Sequence, residues 1–117
     1  MRHHNKNRIL GRTKRQRTAL LRGLARSLVL HGAIVTTEAK AKELRPFIER
    51  VVTDGKKKTL ASRRSVTTKL ASSREATQKL YETYATRFIN RAGGYTRIVK
   101  LGTQGKRVGE MARIEFV

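Results

Sequence analysis

The chain has 117 residues, no cysteine, 38% apolar residues, and 28 lysines and arginines against 8 aspartates and glutamates, a net charge of +20. That length suits one domain with one modest core, burying roughly two-thirds of the unfolded surface. The missing cysteines exclude disulfides, thiolate catalysis and cysteine zinc sites, and no apolar run reaches the roughly 18 residues of a membrane-spanning helix.

The charge is unevenly placed. Residues 1–37 hold nine Lys/Arg and no acid, whereas residues 38–117 hold nineteen basic and eight acidic residues. MRHHNKNRILGRTKRQR (1–17) has only Ile9 and Leu10 as large aliphatics after Met1, so it reads as an extended basic stretch ordered on a partner. The division is an arm at 1–13 and a single domain at 14–117. The start has no apolar h-region or small-residue cleavage site of a secretory signal, and it lacks the serines and amphipathic content of a transit peptide. Leu21, Leu24, Ala25 and Leu28 repeat at helical spacing, with Thr13 as a candidate N-cap and Gly32 as the stop. Arg15, Arg22 and Arg26 fall off that stripe.

AIVTT (33–37) is short and β-branched, the pattern of a brief strand. Thr37 then caps a second helix, with Glu38 in its first turn and a stripe of Ala41, Leu44, Ile48, Val51 and Val52. Pro46 is expected to kink that helix, and Gly55 closes the stripe before Lys56, Lys57 and Lys58. TLASRRSVTTKLA (59–71) makes a third helix with Leu60, Val66 and Leu70 as its anchors. A capping box of Ser72 and Glu75 opens a fourth, whose stripe is Ala76, Leu80, Tyr84 and Phe88 and whose stop is Gly93 and Gly94. Residues 95–101 alternate as a strand. EMARIEFV supplies its hairpin partner, with Ala112, Ile114 and Phe116 on one face. GTQGKRVG between them forms a loop with Lys106 and Arg107 at its tip. The strand at 33–36 can add to this hairpin. The expected fold class is therefore α+β, a two-layer arrangement in the order helix, strand, three helices, two strands, with a small three-stranded sheet packed on helices.

No catalytic constellation assembles, so no enzyme activity, cofactor or small-molecule substrate is expected. His3 and His4 are adjacent without a carboxylate or thiol to complete a metal shell, and His31 suits the negative end of the first helix. The eight carboxylates sit beside lysines and arginines as surface pairs. Gly102, Gly105 and Gly109 join two strands and open no helix, which excludes a nucleotide cradle. A charge of +20 calls for a polyanion, and the spread of charge along the chain favours nucleic acid over a membrane surface. Arg2, Lys6, Arg8, Arg12, Lys14, Arg15 and Arg17 are placed for phosphates, and flexible arginines with few aromatics suit duplex RNA read by shape. RAGGYTRI (91–98) is open to two readings. Gly93 and Gly94 either let a phosphate approach exposed amides between Arg91 and Arg97, with Tyr95 stacking, or they only turn the chain while Tyr95 packs inside.

MRH at the start, SLVLHGAIVTTEAKAKELRPFIE (27–49), RFINRAGGYTRIVKL (87–101) and the closing ARIEFV resemble the bacterial large-subunit ribosomal protein family L-seventeen, in register over nearly the whole chain. The resemblance implies a structural, non-enzymatic protein of the large ribosomal subunit. It would be a monomer present once per ribosome in the bacterial cytoplasm. It would bind large-subunit ribosomal RNA near the outer opening of the nascent-chain tunnel, beside neighbouring proteins such as the small L-thirty-two protein. The RNA-facing residues it implies are Arg2, His3 and Arg8, then Lys40, Lys42 and Arg45, then Arg87, Arg91, Gly93, Gly94, Tyr95 and Arg97. His4, Arg22, Arg63 and Arg64 complete the expected set. Two rivals remain: a nucleoid-type architectural DNA binder, which would not prefer ribosomal RNA, and an RNA-modifying enzyme, which would need a cofactor pocket.

Overall fold

Thr13 starts the first helix, α1 (Lys14–His31), through a capping box that the sequence carries as T-x-x-Q. Its hydroxyl accepts from the Gln16 N–H at 3.3 Å, and the Gln16 side-chain oxygen accepts from the Thr13 N–H at 3.1 Å. Two donors that a helix start leaves unpaired are thereby satisfied. The computed structural model describes residues 10, 13–103 and 109–117, so most of the arm, and the loop tip with Lys106 and Arg107, lie outside the described residues. Gly32 ends α1 in the left-handed region, at φ +80°, and donates its N–H to the Leu28 carbonyl at 2.7 Å. Exposed His31 occupies the last turn, but the cation that bonds a carbonyl there is Lys79, whose ammonium reaches Leu30 O at 2.7 Å.

Strand β1 (Ala33–Thr37) leads directly into α2 (Glu38–Gly55), where the Thr37 hydroxyl accepts from the Lys40 N–H at 3.3 Å. Pro46 lies on the exposed side of α2, and the helix continues through it to Gly55. The donor that proline lacks is thus missing at solvent, away from the packed face. Gly55 does close the helix, but its small size matters more than its flexibility. It is buried, and a Cβ there would lie 2.9 Å from Leu80 Cδ2 and 3.9 Å from Ala85 Cβ. Gly55→Val is therefore expected to overpack this crossing and lower stability by about 2 kcal/mol, read as a fall in urea midpoint at unchanged slope.

Helix α3 (Leu60–Lys69) corrects one expectation. Leu60 is 65% exposed and anchors nothing, while Val66 and Leu70 are buried as expected. Ser62 takes the missing place. It is buried, its hydroxyl donates to the Asp54 carbonyl, and it bonds the Tyr81 hydroxyl at 2.8 Å. A buried hydroxyl with both roles filled holds a helix nearly as an aliphatic anchor would, and a binary apolar pattern does not register it.

The next helix is capped by Ser73, not Ser72. Ser72 has φ +58° and its N–H returns to Thr67 O at 2.9 Å, so it closes α3 and cannot also open a helix. Ser73 Oγ accepts from the Ala76 N–H at 3.1 Å. The fourth helical run comprises α4 (Arg74–Lys79), a π-helical segment (Leu80–Tyr84) and α5 (Ala85–Arg87). The π turn is marked by the Ala85 N–H donating to Leu80 O. It has a packing reason. A stripe spaced by four overshoots a helical turn by ~0.4 residue at each step, so Ala76, Leu80, Tyr84 and Phe88 would wind off the core. One wide turn corrects the drift, and all four are buried. The run ends at Arg87, before Gly93 and Gly94, and residues 88–95 form an irregular segment.

Strands β2 (Thr96–Gly102) and β3 (Met111–Phe116) pair antiparallel with a register shift between Lys100 and Gly102, and β1 joins the other side of β3. The sheet order is β1-β3-β2. Ile34, Ile114 and Ile98 stand in register on the face that packs against the helices. On the opposite face Val35, Arg113 and Val99 stand in register, all exposed. The fold is thus the α+β arrangement in the expected order, with its core between one sheet face and the helices.

Candidate nucleic-acid interface

The C-terminal basic segment is stitched to three other parts of the fold. The Arg87 guanidinium reaches the carbonyl of Val117 at 3.4 Å, and the Val117 N–H donates to Tyr95 O at 3.0 Å. Lys56, just past the end of α2, donates to Arg91 O at 2.7 Å and to the Tyr95 hydroxyl at 3.0 Å. Thr53 bonds the same hydroxyl at 3.1 Å. Further along α2, Glu49 accepts from the Thr96 hydroxyl at 3.0 Å and lies 3.6 Å from Arg45. These bonds tie the segment from Arg87 to Arg97 to the end of α2, and through Glu49 they bring in Arg45 of the second helix.

Gly93 and Gly94 have φ of +101° and +64°, which L side chains rarely adopt, and nothing lies within 4 Å of where a Cβ would stand on either. The space on the Cβ side of both is open, so another backbone can come close there. Tyr95 answers the second of its two readings. Its residue is 1% exposed, its ring packs 5.1 Å from that of Phe88, and it has no free face for a base. Burial pushes its phenol up, but the hydrogen bonds of Thr53 and Lys56, the Lys56 charge and the Gly93 amide outweigh burial and hold it below the ordinary tyrosine value.

The remaining cations differ in how they are held. Arg87 lies over the Tyr84 and Phe88 rings, at 5.2 and 5.8 Å. Burial pushes the Tyr84 phenol up, against the opposing Arg87 charge. Arg97 pairs with Glu115 at 3.2 Å while its side chain stays 62% exposed. Arg63 stacks on Tyr81 at 5.1 Å, and Arg64 is exposed beside it. Lys14 and Arg15 are exposed in the first turn of α1, Arg17 and Arg22 are half-buried, and α1 has no acid in that turn. Its positive dipole end and these side chains add in sign. Lys40 is half-buried, and Lys42 is bound to Glu38 at 2.7 Å. Arg2, His3, His4, Lys6, Arg8 and Arg12 lie outside the described residues.

An open groove of about 490 Å³ runs beside the glycines, lined by Pro46, Glu49, Arg50, Thr53, Asp54, Lys69, Gly93 and Tyr95. Arg50 and Lys69 were not singled out in the sequence, since neither differs from its neighbours until α2, α3 and the glycine turn meet. The acids of this surface are already engaged. Glu38, Glu49, Asp54 and Glu115 together hold Lys42, Lys100, Arg45, Lys57, Lys69, Arg97 and Arg113. Seven cations around four carboxylates leave these clusters net positive, and each carboxylate fixes the position of its partners. Such a surface attracts anions.

Glu38 is the most perturbed of the acids. The Lys42 hydrogen bond, then one with Glu110, then the charges of Lys100 and Lys42 act against burial and lower it from 4.5 to about 2. A folded-state value below the unfolded one gives stability that is present above about pH 4.5 and lost as pH falls towards 2. Glu38→Gln is expected to flatten the acid limb of the stability curve in that window and leave the slope above it unchanged, measured by urea melts across pH.

Among the described residues, no three His, Cys, Asp or Glu converge as a metal site, and no helix is long and apolar enough to cross a membrane. A sequence profile of the family described as Ribosomal protein L17 matches residues 20–117. The chain is 52% identical over 117 residues to the large ribosomal subunit protein bL17 of Gemmatimonas aurantiaca, covering 100% of this chain and 98% of that one. It is 51% identical over 120 residues to bL17 of Hydrogenobaculum sp., at 100% and 99% coverage. With bL17 of Shouchella clausii it shares 49% identity over 115 residues, at 92% and 96% coverage. The profile match over residues 20–117 and this agreement along the chain show that the protein belongs to the ribosomal protein L17 family, a family of structural, non-enzymatic components of the ribosome.

Proposed function

We propose that this protein is a structural constituent of the bacterial large ribosomal subunit that binds large-subunit ribosomal RNA and stabilises its fold during assembly. The observation that carries the reading is the charge: +20, with four carboxylates holding seven cations in place and a glycine turn open between arginines. A free globule so charged repels itself, and RNA phosphate relieves that. The arm at 1–13 threads between RNA helices and replaces metal-ion screening with arginine, while the domain at 14–117 fixes its root. Arg45, Arg87, Arg91, Arg97 and the Gly94 amide meet a second stretch of backbone, and Lys14, Arg15, Arg17 and Arg22 meet the RNA at the base of the arm. By family resemblance the place is near the nascent-chain tunnel exit, one copy per ribosome in the bacterial cytoplasm. The family resemblance also suggests a neighbouring ribosomal protein, such as the small L-thirty-two protein, as a partner. The test is filter binding of the full chain to a large-subunit RNA transcript and to duplex DNA of matched length, over about 50 to 300 mM salt. Preference for the transcript that persists as salt rises supports the reading. Equal affinity at every salt concentration would make this a general nucleic-acid binder.

A further inference from the structure

Lys56 opens the run Lys56, Lys57, Lys58, and in sequence all three look alike as phosphate contacts. The geometry separates the first of them. An ammonium has three donors. Two of those on Lys56 are committed inside the fold, to Arg91 O at 2.7 Å and to the Tyr95 hydroxyl at 3.0 Å, and the charge lies 5.2 Å from the centre of the Tyr95 ring. Lys57 instead extends to Asp54 with its side chain 65% exposed.

The segment held in this way has little else to shape it. Ile89, Asn90, Arg91, Ala92 and Gly94 are exposed, and the two glycines have wide conformational freedom with nothing packed on them. The Arg91 N–H returns to Phe88 O at 3.0 Å, which closes only the first turn after α5. Beyond that, order reaches the segment through Lys56, through the buried ring and phenol of Tyr95, and at its end through the Val117 N–H on the Tyr95 carbonyl. The phenol oxygen accepts from Lys56 and shares a hydrogen bond with the Thr53 hydroxyl.

We infer that Lys56 is a positioning residue of the RNA interface: it latches the 91–95 segment to the end of α2, so that the Arg91 and Arg97 guanidiniums are presented at a fixed spacing, and it is not itself a phosphate ligand. The inference rests on the RNA-binding reading for its consequence, but the latch exists without RNA. A preformed turn saves the ordering cost that a double-glycine segment would otherwise meet on binding.

Two measurements on the full chain separate a latch from a phosphate ligand. In the free protein, backbone order parameters at Arg91, Ala92, Gly93 and Gly94 are expected to fall from about 0.85 to below about 0.6 in Lys56→Met, and to be unchanged in Lys58→Met. Tyr95→Phe keeps the Lys56 charge and the ring but removes the bridging oxygen. It is expected to lower the same order parameters, and it serves as the test if Lys56→Met does not fold. In binding to the large-subunit transcript, Lys56→Met and Arg91→Ala each lose affinity, and the double variant loses little more than the worse single one, since a loosened segment no longer presents Arg91. Unchanged order parameters in folded Lys56→Met, or losses that simply add, would overturn the latch and make Lys56 an ordinary phosphate contact. If the intact chain shows no preference for the transcript, the RNA reading fails while the order parameters still decide the latch.

Discussion

Deleting residues 1–13 is expected to weaken binding to large-subunit RNA by at least about a hundredfold near 0.15 M salt, while leaving the domain folded. The deleted stretch carries Arg2, Lys6, Arg8 and Arg12 and no acid. Each phosphate neutralised releases counterions, with a slope of roughly 0.9 per contact on duplex. Loss of four contacts should therefore flatten the salt dependence by about three to four units as well as lower affinity. Among the described residues the buried core begins within α1 at Ala25, and the Thr13–Gln16 capping box opens that helix. Removing Thr13 costs that cap, on the order of 1 kcal/mol. Equal affinity and equal slope in the shortened chain would show that the arm is no anchor.

Phe88→Ala is expected to cost about 4 kcal/mol, a large share of the stability of a domain this size. The ring is 2% exposed and sits among three others, 5.1 Å from Tyr95, 6.2 Å from Phe116 and 6.5 Å from Tyr84. These four are most of the aromatic content of a chain with only three tyrosines and three phenylalanines. They join the last helical run, the glycine segment and the end of the sheet, so the cavity opens under the basic patch. The measurement is a urea melt beside transcript binding. Loss of RNA preference with retention of weak, salt-sensitive attachment through the arm is the expected pairing. A stability change below about 1 kcal/mol would mean that the aromatic cluster is not what joins these elements.

Much of this architecture is legible in the sequence because local physics decides it. Thr13 and Thr37 cap helices as hydroxyls at those positions should, the α2 stripe is buried as written, and in the α1 stripe Ala25 and Leu28 are buried while Leu21 and Leu24 pack partly buried against the core. Gly32 stops α1 for the same backbone reason that makes glycine common there. The hidden part depends on partners far along the chain. Ser62 anchors α3 only because Asp54 and Tyr81 meet it, and Gly55 matters only because Leu80 crosses it. Ser72 and Ser73 are equivalent caps until the left-handed turn at Ala71 and Ser72 selects the second. The string RAGGYTRI marks a tight glycine turn between arginines, yet the inward setting of Tyr95 is fixed by Thr53 and Lys56, more than thirty residues earlier. Lys56 is invisible as a latch inside a run of three lysines.

The central claim is that this chain is an integral RNA-bound component of the large subunit and not a cation attached to any polyanion. The direct measurement is sedimentation of tagged protein with large ribosomal subunits through a gradient at about 0.5 M salt, where non-specific phosphate binding falls by orders of magnitude. Retention in the large-subunit peak at about one copy per particle is the predicted result. Loss to the top of the gradient, with rebinding to any duplex at low salt, would contradict the account.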